Sequence, residues 1–252
     1  MRTAVVTGAS SGIGEALARR LDADGWKVVA VARRAERLEE LAAEATGVHP
    51  LALDLTAEEA PNEVAKAVNE RLGGKLDLLV NNAGGAWRAR FSDADGGFAQ
   101  VRDLMELNFY APVRLTEALL PVLRASKPSA IVNVGSVAGR VARAQSGAYN
   151  AAKFALSGWT EALRYEEAPN GVHVGLVLPG FVRTEGFSHE DLRASAKTRW
   201  MVSTSDKVVD AILRAGPGGR AEVAVPRPWA AVITLRALIP GIWLRAASGM
   251  RR

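Results

Sequence analysis

The segment Thr3–Ala32 constrains the fold of this chain more than any other. A short apolar run, Thr3–Thr7, passes directly into Gly8-Ala9-Ser10-Ser11-Gly12-Ile13-Gly14. Residues Glu15–Ala23 have helical composition, and a second apolar run follows at Trp26–Ala32. A strand, a glycine-rich turn, a helix and a second strand predict a right-handed crossover between parallel neighbours. We therefore expect an α/β fold.

The glycine-rich turn has the composition of a nucleotide-binding loop. Gly8 can take backbone angles that are closed to other residues, Gly12 lets the main chain approach a ligand, and Gly14 lets the helix pack against the strand. Amides at the helix start would face a pyrophosphate. The spacing is Gly-x-x-x-Gly-x-Gly, not the common Gly-x-Gly-x-x-Gly, so a tight turn without a ligand remains an alternative.

The end of the second predicted strand bears on cofactor choice. An acid there would accept hydrogen bonds from a free ribose 2'-hydroxyl, but the strand ends in Ala32 and continues into Arg33-Arg34. Two guanidinium groups suit a 2'-phosphate, which predicts NADP(H), although solvated arginines at a helix start are the alternative. After the third strand, Asp54 could accept the adenine amino group with Leu55 beside the ring, or Asp54 could cap the next helix.

Strand and helix patterns alternate along the rest of the chain. Further strands are predicted at Val48–Leu53, Leu76–Val80, Ala130–Val134, Val172–Leu178 and Ala221–Val225. Helices are predicted at Ala35–Ala45, Glu58–Arg71, Val101–Leu123, Ser146–Glu167 and Ser205–Ala215. The 252 residues are 48% hydrophobic, enough for one large core, so we expect one domain over residues 1–252.

Two asparagine-containing segments are candidates for a ligand-binding site. The fourth predicted strand ends in Asn81-Asn82-Ala83-Gly84-Gly85, where amide side chains could tie loops together and Ala83-Gly84 could leave room for a nicotinamide ribose. A plain turn is the alternative. Asn108 lies inside a predicted helix, and Pro112 has no N–H, so the Asn108 carbonyl is free to hold a water or an ammonium. A bent helix without chemistry is the alternative.

Tyr149 and Lys153 lie one turn apart on one helix face. A phenol with a pKa of about 10 must lose about three units to work near neutrality, which requires about 4 kcal/mol. One contacting ammonium supplies about that much at an effective dielectric constant of about 20. The pair could be a general acid and the charge that tunes it, or a solvated pair. Ser136, at the end of the fifth strand, could donate a hydrogen bond to a substrate oxygen.

These motifs occur in the order typical of one enzyme family. They are Thr7-Gly8-Ala9-Ser10-Ser11-Gly12-Ile13-Gly14, Asn81-Asn82-Ala83-Gly84, Asn108, Ser136, Tyr149 with Lys153, and Pro179-Gly180. Over roughly the first 185 residues the chain resembles the short-chain dehydrogenase/reductase family. The resemblance implies a Rossmann-type, doubly wound sheet of seven parallel strands and a catalytic tetrad of Asn108, Ser136, Tyr149 and Lys153.

The resemblance also implies roles. Ser136 and Tyr149 would hold a carbonyl oxygen while NADP(H) exchanges hydride with its carbon, and Tyr149 would act as acid or base. Lys153 would stabilise the phenolate and hold the ribose hydroxyls, and the Asn108 carbonyl would anchor a proton-relaying water. The implied cofactor-binding residues are Gly8, Ser10, Ser11, Gly12, Ile13, Gly14, Arg33, Arg34, Asp54, Leu55, Asn81, Ala83, Gly84, Tyr149, Lys153, Pro179, Gly180, Val182 and Thr184. Arg33 resembles the NADP-preferring branch, and no metal is expected.

Two later segments have no motif of their own. In the family, residues 185–205 are the substrate lid, and the aromatic residues there, Phe187 and Trp200, hint at an apolar substrate or pack on the body of the protein. His189 is expected at the surface. The tail, residues 226–252, is apolar but broken by Arg236 and Pro240-Gly241, so it is too short to span a bilayer. It could cover the substrate site, contact another subunit or lie in a membrane interface.

Charge and composition narrow the function. The net charge of +5 comes from scattered arginines rather than one basic face, so nucleic acid is not an expected partner. The absence of cysteine excludes disulfide and thiol chemistry. No apolar leader precedes the first strand, so we expect a cytoplasmic protein. The leading hypothesis is an NADP(H)-dependent reductase or dehydrogenase; the alternatives are a non-catalytic NADP(H) sensor or scaffold, and a membrane-surface reductase of lipid carbonyls. By resemblance, we expect a homodimer or homotetramer.

Overall fold

Strands and helices alternate in the predicted order. The structure is a computed structural model that describes residues 1–183 and 199–248. The strands are β1 Thr3–Thr7, β2 Lys27–Ala32, β3 Val48–Ala52, β4 Leu78–Asn81, β5 Ser129–Val134, β6 Val172–Pro179, β7 Phe181–Arg183, β8 Val202–Thr204 and β9 Glu222–Val225. The helices are α1 Gly12–Ala23, α2 Ala35–Glu44, α3 Ala60–Leu72, α4 Gly97–Met105, α5 Ala111–Ala125, α6 Gly147–Glu167, α7 Ser205–Ala215, α8 Pro228–Leu238 and α9 Pro240–Ser248.

Seven of the strands form one parallel sheet in the order β3-β2-β1-β4-β5-β6-β9. The sheet confirms the predicted Rossmann-type, doubly wound fold. The strand order reverses direction between β1 and β4, and in such sheets the crevice at the carboxyl ends of these two strands is where ligands bind. The small parallel pair of β7 and β8 was not predicted from the sequence.

Helices cover both faces of the sheet because alternate strand residues point to opposite sides. Val6 of β1 belongs to a buried cluster with residues of α1, α2 and α7, whereas the preceding Val5 belongs to a second cluster with residues of α3, α5 and α6. Burial on both faces explains why β1 reads as a continuous apolar run. The two clusters fix the sheet between two layers of helices.

The helix predicted at Val101–Leu123 is instead divided into α4 and α5. A π-helical turn, Glu106–Tyr110, separates them, and the N–H of Ala111 donates to the carbonyl of Glu106, five residues earlier. Pro112, the second residue of α5, follows this turn and has no N–H to donate to it. Such π turns often occur at functional sites, and this one contains Asn108.

The apolar tail folds into α8 and α9. Trp229 is buried, whereas Leu238, Ile242 and Leu244 are more than half exposed. Within residues 1–183 and 199–248, no helix is both long enough and apolar enough to cross a bilayer.

Candidate active site

Three adjoining cavities lie along the carboxyl edge of the sheet. The glycine cavity, about 370 Å³, surrounds the glycine-rich turn; the tyrosine cavity, about 320 Å³, contains Tyr149; the tryptophan cavity, about 460 Å³, is walled by Trp200, Trp229 and Trp243. The first two share Ile13, Asn82 and Gly84. The last two share Ser136, Gly180 and Phe181. The cavities therefore form one continuous cleft with Tyr149 in its middle section.

The glycine-rich turn has the geometry expected of it. Gly8 and Gly12 have φ angles of +69° and +59°, which other residues rarely adopt. A Cβ atom on Gly14 would lie 2.3 Å from the Gly8 carbonyl oxygen, so only glycine permits this contact between α1 and the end of β1. A Cβ on Gly8 would lie 2.9 Å from the Cα of Ala83. The turn is thus packed against the end of β4.

Most residues predicted to bind the cofactor line the glycine cavity. They are Gly8, Ser10, Ser11, Gly12, Ile13, Arg33, Arg34, Asp54, Leu55, Ala83 and Gly84. The guanidinium of Arg34 donates to both the hydroxyl and the carbonyl of Ser10, each at 3.2 Å, and so joins the end of β2 to the turn. Arg33 is exposed at the cavity.

Asp54 lines the glycine cavity and also forms a local turn. One of its carboxylate oxygens accepts hydrogen bonds from the backbone N–H of Thr56 at 3.0 Å and from its hydroxyl at 2.8 Å. These two bonds, with a smaller contribution from Arg33, lower the pKa of Asp54. Asp54 therefore caps this local turn and not α3, whose N-cap residue is Glu59, so the helix-capping role weighed from the sequence is not found.

The structure places Asn81 away from the cavities, contrary to its predicted role in cofactor binding. Its side chain is buried beneath the sheet, where it donates to the hydroxyl of Thr116 at 3.1 Å and to Asn133 at 2.8 Å. Asn82 lines both the glycine and tyrosine cavities, and its side chain donates to the carbonyl of Thr7 at 2.8 Å. Successive residues at a strand end face opposite sides, so Asn82 takes the position expected of Asn81.

Asn108 lies fully buried in the π turn and lines the tyrosine cavity. Its side-chain N–H groups donate to the carbonyls of Gly85 and Leu104, both at 3.0 Å, and its side-chain oxygen accepts from the N–H of Gly85 at 3.3 Å. A Cβ on Gly84 would lie 2.7 Å from that oxygen. The side chain of Asn108 therefore fixes the loop after β4, a role that the sequence did not reveal.

Ser136 and Tyr149 meet in the tyrosine cavity. The Ser136 hydroxyl oxygen accepts from the N–H of Ala138 at 3.1 Å, which holds the side chain at the carboxyl end of β5. Burial raises the pKa of Tyr149, while a hydrogen bond with Ser136 and the charge of Arg143 act to lower it. The sequence predicts a lowered pKa caused by Lys153, whereas burial dominates and the pKa of Tyr149 is raised. The contribution of Arg143 was missed because a loop arginine belongs to no motif.

Lys153 is buried at the base of the tyrosine cavity. Its ammonium donates to the carbonyl of Val134 at 3.0 Å and lies 6.0 Å from the centroid of the Tyr149 ring. Burial lowers the pKa of Lys153 to about 8. Tyr149 and Lys153 share a helix face, as predicted. The ammonium of Lys153 faces the ring of Tyr149.

The segment after β6 joins the tyrosine cavity to the tail. Pro179, Gly180 and Val182 line the tyrosine cavity. A Cβ on Gly180 would lie 2.2 Å from the indole nitrogen of Trp229, so glycine lets α8 close over the site. Trp229 also donates to the carbonyl of Met201 at 3.3 Å. The predicted cofactor residue Thr184, with Phe187, His189 and most of the predicted lid, lies outside the described residues.

The cleft offers the groups needed for proton transfer to an oxygen. A hydroxyl, a phenol and an ammonium line one cavity, and a carbonyl oxygen bound there would be reached by donors from two of them. In residues 1–183 and 199–248, no group of three or more His, Asp or Glu side chains could hold a metal ion.

Comparisons with known proteins agree with this geometry. A family model described as short chain dehydrogenase matches residues 2–193. The NADPH-dependent 1-acyldihydroxyacetone phosphate reductase of Schizosaccharomyces pombe is 38% identical over 72% of this chain, and the match spans only 60% of that relative. A short-chain dehydrogenase structure from Streptomyces avermitilis has a TM-score of 0.81 and 32% identity, covering 100% of this chain and 98% of its own. The Pseudomonas aeruginosa RhlG/NADP complex has a TM-score of 0.77 and 27% identity, covering 90% of this chain and 96% of its own.

The matched residues include the glycine-rich turn, Asn108, Ser136, Tyr149 and Lys153, which the fold brings to one cleft. The chain belongs to the short-chain dehydrogenase/reductase family of oxidoreductases.

Proposed function

We propose that the protein is an NADP(H)-dependent reductase or dehydrogenase that interconverts a carbonyl compound and its alcohol. The observation that carries this proposal is the meeting of Ser136, Tyr149 and Lys153 in a cavity that adjoins the glycine cavity. A protein that only bound a dinucleotide would need neither a phenol nor a buried ammonium there. Reductase relatives and an NADP-bound structural neighbour support the same assignment.

The residues around the glycine cavity fit a dinucleotide. Gly8 and Gly12, at positive φ angles, let the backbone of the turn approach a ligand closely. Gly12 and Ile13 at the start of α1 line the cavity, where their backbone N–H groups would bind a pyrophosphate. Asp54 and Leu55 would contact the adenine. Lys153 would hold the ribose hydroxyls at the boundary with the tyrosine cavity.

In the proposed mechanism, an NADPH held by the residues of the glycine cavity and by Lys153 would be the source of hydride for the carbonyl carbon. Ser136 donates a hydrogen bond to the carbonyl oxygen, and Tyr149 transfers its phenolic proton to that oxygen as negative charge develops. The positive charges of Arg143 and Lys153 stabilise the phenolate left on Tyr149. In the opposite direction, the phenolate of Tyr149 removes the proton of the alcohol.

Turnover tests this function directly. The purified protein should oxidise NADPH in the presence of at least one member of a panel of aldehydes and ketones with apolar substituents. Tyr149→Phe removes only the hydroxyl, so it should lower kcat by at least about 10²-fold, the size typical of lost general acid catalysis, while NADPH still binds. Tight NADPH binding without turnover of any panel member would favour the sensor function. Substantial residual turnover in Tyr149→Phe would contradict the role of the phenol.

The proposed preference for NADP(H) rests on Arg33 and Arg34. Both line the glycine cavity beside Ser10, and no acid occupies the end of β2. Arg33→Ala with Arg34→Ala should raise the KM for NADPH by about 10- to 100-fold, since hydrogen bonds to a charged group are lost, and should change the KM for NADH little. Arg102→Ala on α4, outside this cavity, is the control. Equal changes in the KM for NADPH and the KM for NADH would show that the arginines do not bind the 2'-phosphate.

We further propose a homodimer or homotetramer whose contact face includes α5 and α6. Tyr110, Phe154 and Tyr165 are exposed aromatic residues of the π turn and α6.

The exposed Leu238, Ile242 and Leu244 of the tail favour one second candidate, a reductase that works at a membrane surface on lipid carbonyls. Flotation of the protein with liposomes would support that candidate, and failure to float would remove it.

A further inference from the structure

The tryptophan cavity contains an unexpected cation. Three tryptophans and several small apolar residues form its wall, yet Arg143 also lines it. Among the described residues that line the tyrosine and tryptophan cavities, the charged ones are Lys153 and Arg143, and both are cations. Among these described lining residues, no acid balances the two positive charges, which favours an anionic ligand.

The guanidinium of Arg143 has contacts that leave its charge unneutralised. It lies 5.1 Å from the centroid of the Phe181 ring, and in the described part of the chain no carboxylate forms an ion pair with it. Burial and the nearby charge of Arg88 lower the pKa of Arg143, whereas the neighbouring Tyr149 acts to raise it. An arginine destabilised by a like charge and by desolvation gains more than a solvated one from binding an anion.

Arg143 is held in place by its backbone and by a neighbouring loop. The side chain of Asn150, the residue after Tyr149, donates to the carbonyl of Arg143 at 2.9 Å. Gln145 adopts a φ of 61°, unusual for a residue with a side chain, and accepts a hydrogen bond from Arg88 at 3.2 Å. The backbone of Arg143 is therefore held next to the helix that carries Tyr149, and the Phe181 ring contacts its guanidinium.

The tryptophan wall of this cavity is suited to an aliphatic chain. Trp229 uses its indole N–H to bond Met201, so its ring contributes apolar surface. The cavity volume of about 460 Å³ lies in the range of small-molecule sites. The cofactor does not need this space, because the residues suited to its phosphates lie around the glycine cavity.

We propose that Arg143 and the tryptophan cavity form a substrate subsite for an anionic amphiphile. A phosphate or carboxylate close to the reacting carbonyl binds the guanidinium of Arg143, and an aliphatic chain lies against Trp200, Trp229 and Trp243. The subsite rests on the reductase function proposed above and deepens it, because it names the substrate class: oxo compounds with one anionic group and one apolar chain. Free Arg143 also tunes Tyr149, so substrate binding and proton transfer are linked through one side chain.

Matched substrate pairs test this subsite. A 4-oxo fatty acid is compared with its methyl ester, and a long-chain 2-oxoalkyl phosphate with the corresponding hydroxyketone. The wild-type protein should prefer the anionic member of at least one pair by about tenfold or more in kcat/KM, and the pair that shows it identifies carboxylate or phosphate. Arg143→Gln should reduce that ratio by about tenfold or more, and Arg143→Lys should keep part of it.

The control is Arg140→Gln. Arg140 lies in the same loop, but its guanidinium is already paired with Glu222 at 2.7 Å and is outside the tryptophan cavity. The ratio of anionic to neutral kcat/KM should stay at the wild-type value in this variant. A wild-type protein without preference, or an unchanged ratio in Arg143→Gln, would overturn the subsite.

A binding measurement separates this proposal from the reductase function. Quenching of tryptophan fluorescence reports on the cavity wall without turnover. Decyl phosphate and decanoate should each be compared with decanol, and at least one anion should bind the wild-type protein about tenfold more tightly than decanol and lose that advantage in Arg143→Gln. If an anion binds in this way while no carbonyl compound is reduced, the reductase function fails, and the tryptophan cavity remains a binding site for anionic amphiphiles. Equal affinity of all three ligands overturns the subsite, whatever the turnover.

Discussion

Two ionisable side chains in the cleft, Tyr149 and Lys153, lie where burial disfavours their charged forms. Burial raises the pKa of Tyr149 and lowers that of Lys153, so both environments oppose the charged form. A phenol that is hard to ionise keeps its proton until an oxyanion forms beside it, which suits a general acid. The neighbouring Ser136 and Arg143 offset part of this burial effect. Burial and its partial compensation by Ser136 and Arg143 are stronger evidence for a catalytic site than the spacing of Tyr149 and Lys153 alone.

The lowered pKa of Lys153 predicts a pH-dependent stability. Its value falls from 10.5 to about 8, so below pH 8 the folded protein keeps a buried ammonium at a cost of about 3 kcal/mol. As pH rises from 8 to 10.5, the folded state releases this proton before the unfolded state does, and the cost disappears. The stability of Lys153→Met relative to the wild-type protein should therefore fall by up to about 3 kcal/mol across this window.

Urea unfolding of both proteins without cofactor, at intervals across the window from pH 8 to pH 10.5, measures this difference. Subtracting the two curves removes the titration of all other groups. A difference that does not change with pH would mean that the ammonium is solvated in the folded protein.

At the scale of elements, the contact between α1 and the ends of β1 and β4 holds the cleft together. A Cβ on Gly14 would lie 2.3 Å from the Gly8 carbonyl oxygen and 2.7 Å from the side-chain nitrogen of Asn82. Gly14→Ala should therefore lower the free energy of unfolding by about 1–3 kcal/mol, as overpacking does, and weaken NADPH binding. Gly158→Ala in α6 is the matched control, since a Cβ there meets nothing within 4 Å.

Gly158→Ala should raise the free energy of unfolding by about 0.5–1 kcal/mol because alanine favours a helix interior. Denaturant unfolding and NADPH titration of both variants measure these effects. A Gly14→Ala protein as stable as the wild type would contradict the close packing of the turn.

The elements also show what sequence patterns can and cannot predict. Apolar runs gave the seven strands of the main sheet to within a few residues, because strands buried on both faces leave a clear signal. The π turn was missed, since the change from four-residue to five-residue hydrogen bonding barely alters side-chain periodicity. The sequence predicts a binding role for Asn81, whereas Asn82 lines the cavities. A shift of one residue at a strand end exchanges the two faces, and composition does not fix that register.

At the scale of the whole molecule, exposed aromatic side chains predict the subunit contact. Phe154 on α6 is 36% exposed and Tyr110 on the π turn is 47% exposed. Phe154→Glu places a charge in the proposed contact face, so it should shift the protein toward a monomer in light scattering coupled to size-exclusion chromatography. Leu238→Glu, on the tail, should keep the wild-type mass. The reverse result would place the contact on α8 and α9.

The sequence predicts those residues of the site that directly follow the carboxyl ends of strands. Ser136 and the glycine turn lie where parallel strands deliver them, so order along the chain was enough to bring them together. The position of Arg143 depends on contacts between separate loops, which leave no trace in local sequence. Likewise, the tryptophans of the tail reach the cleft only because Gly180 lets α8 approach.

The arrangement of the three cavities has a kinetic consequence. The tyrosine cavity meets the glycine cavity through Ile13, Asn82 and Gly84, and meets the tryptophan cavity through Ser136, Gly180 and Phe181. A coenzyme and an apolar product would therefore occupy opposite ends of one cleft, on either side of Tyr149. We expect either of them to be released while the other is still bound.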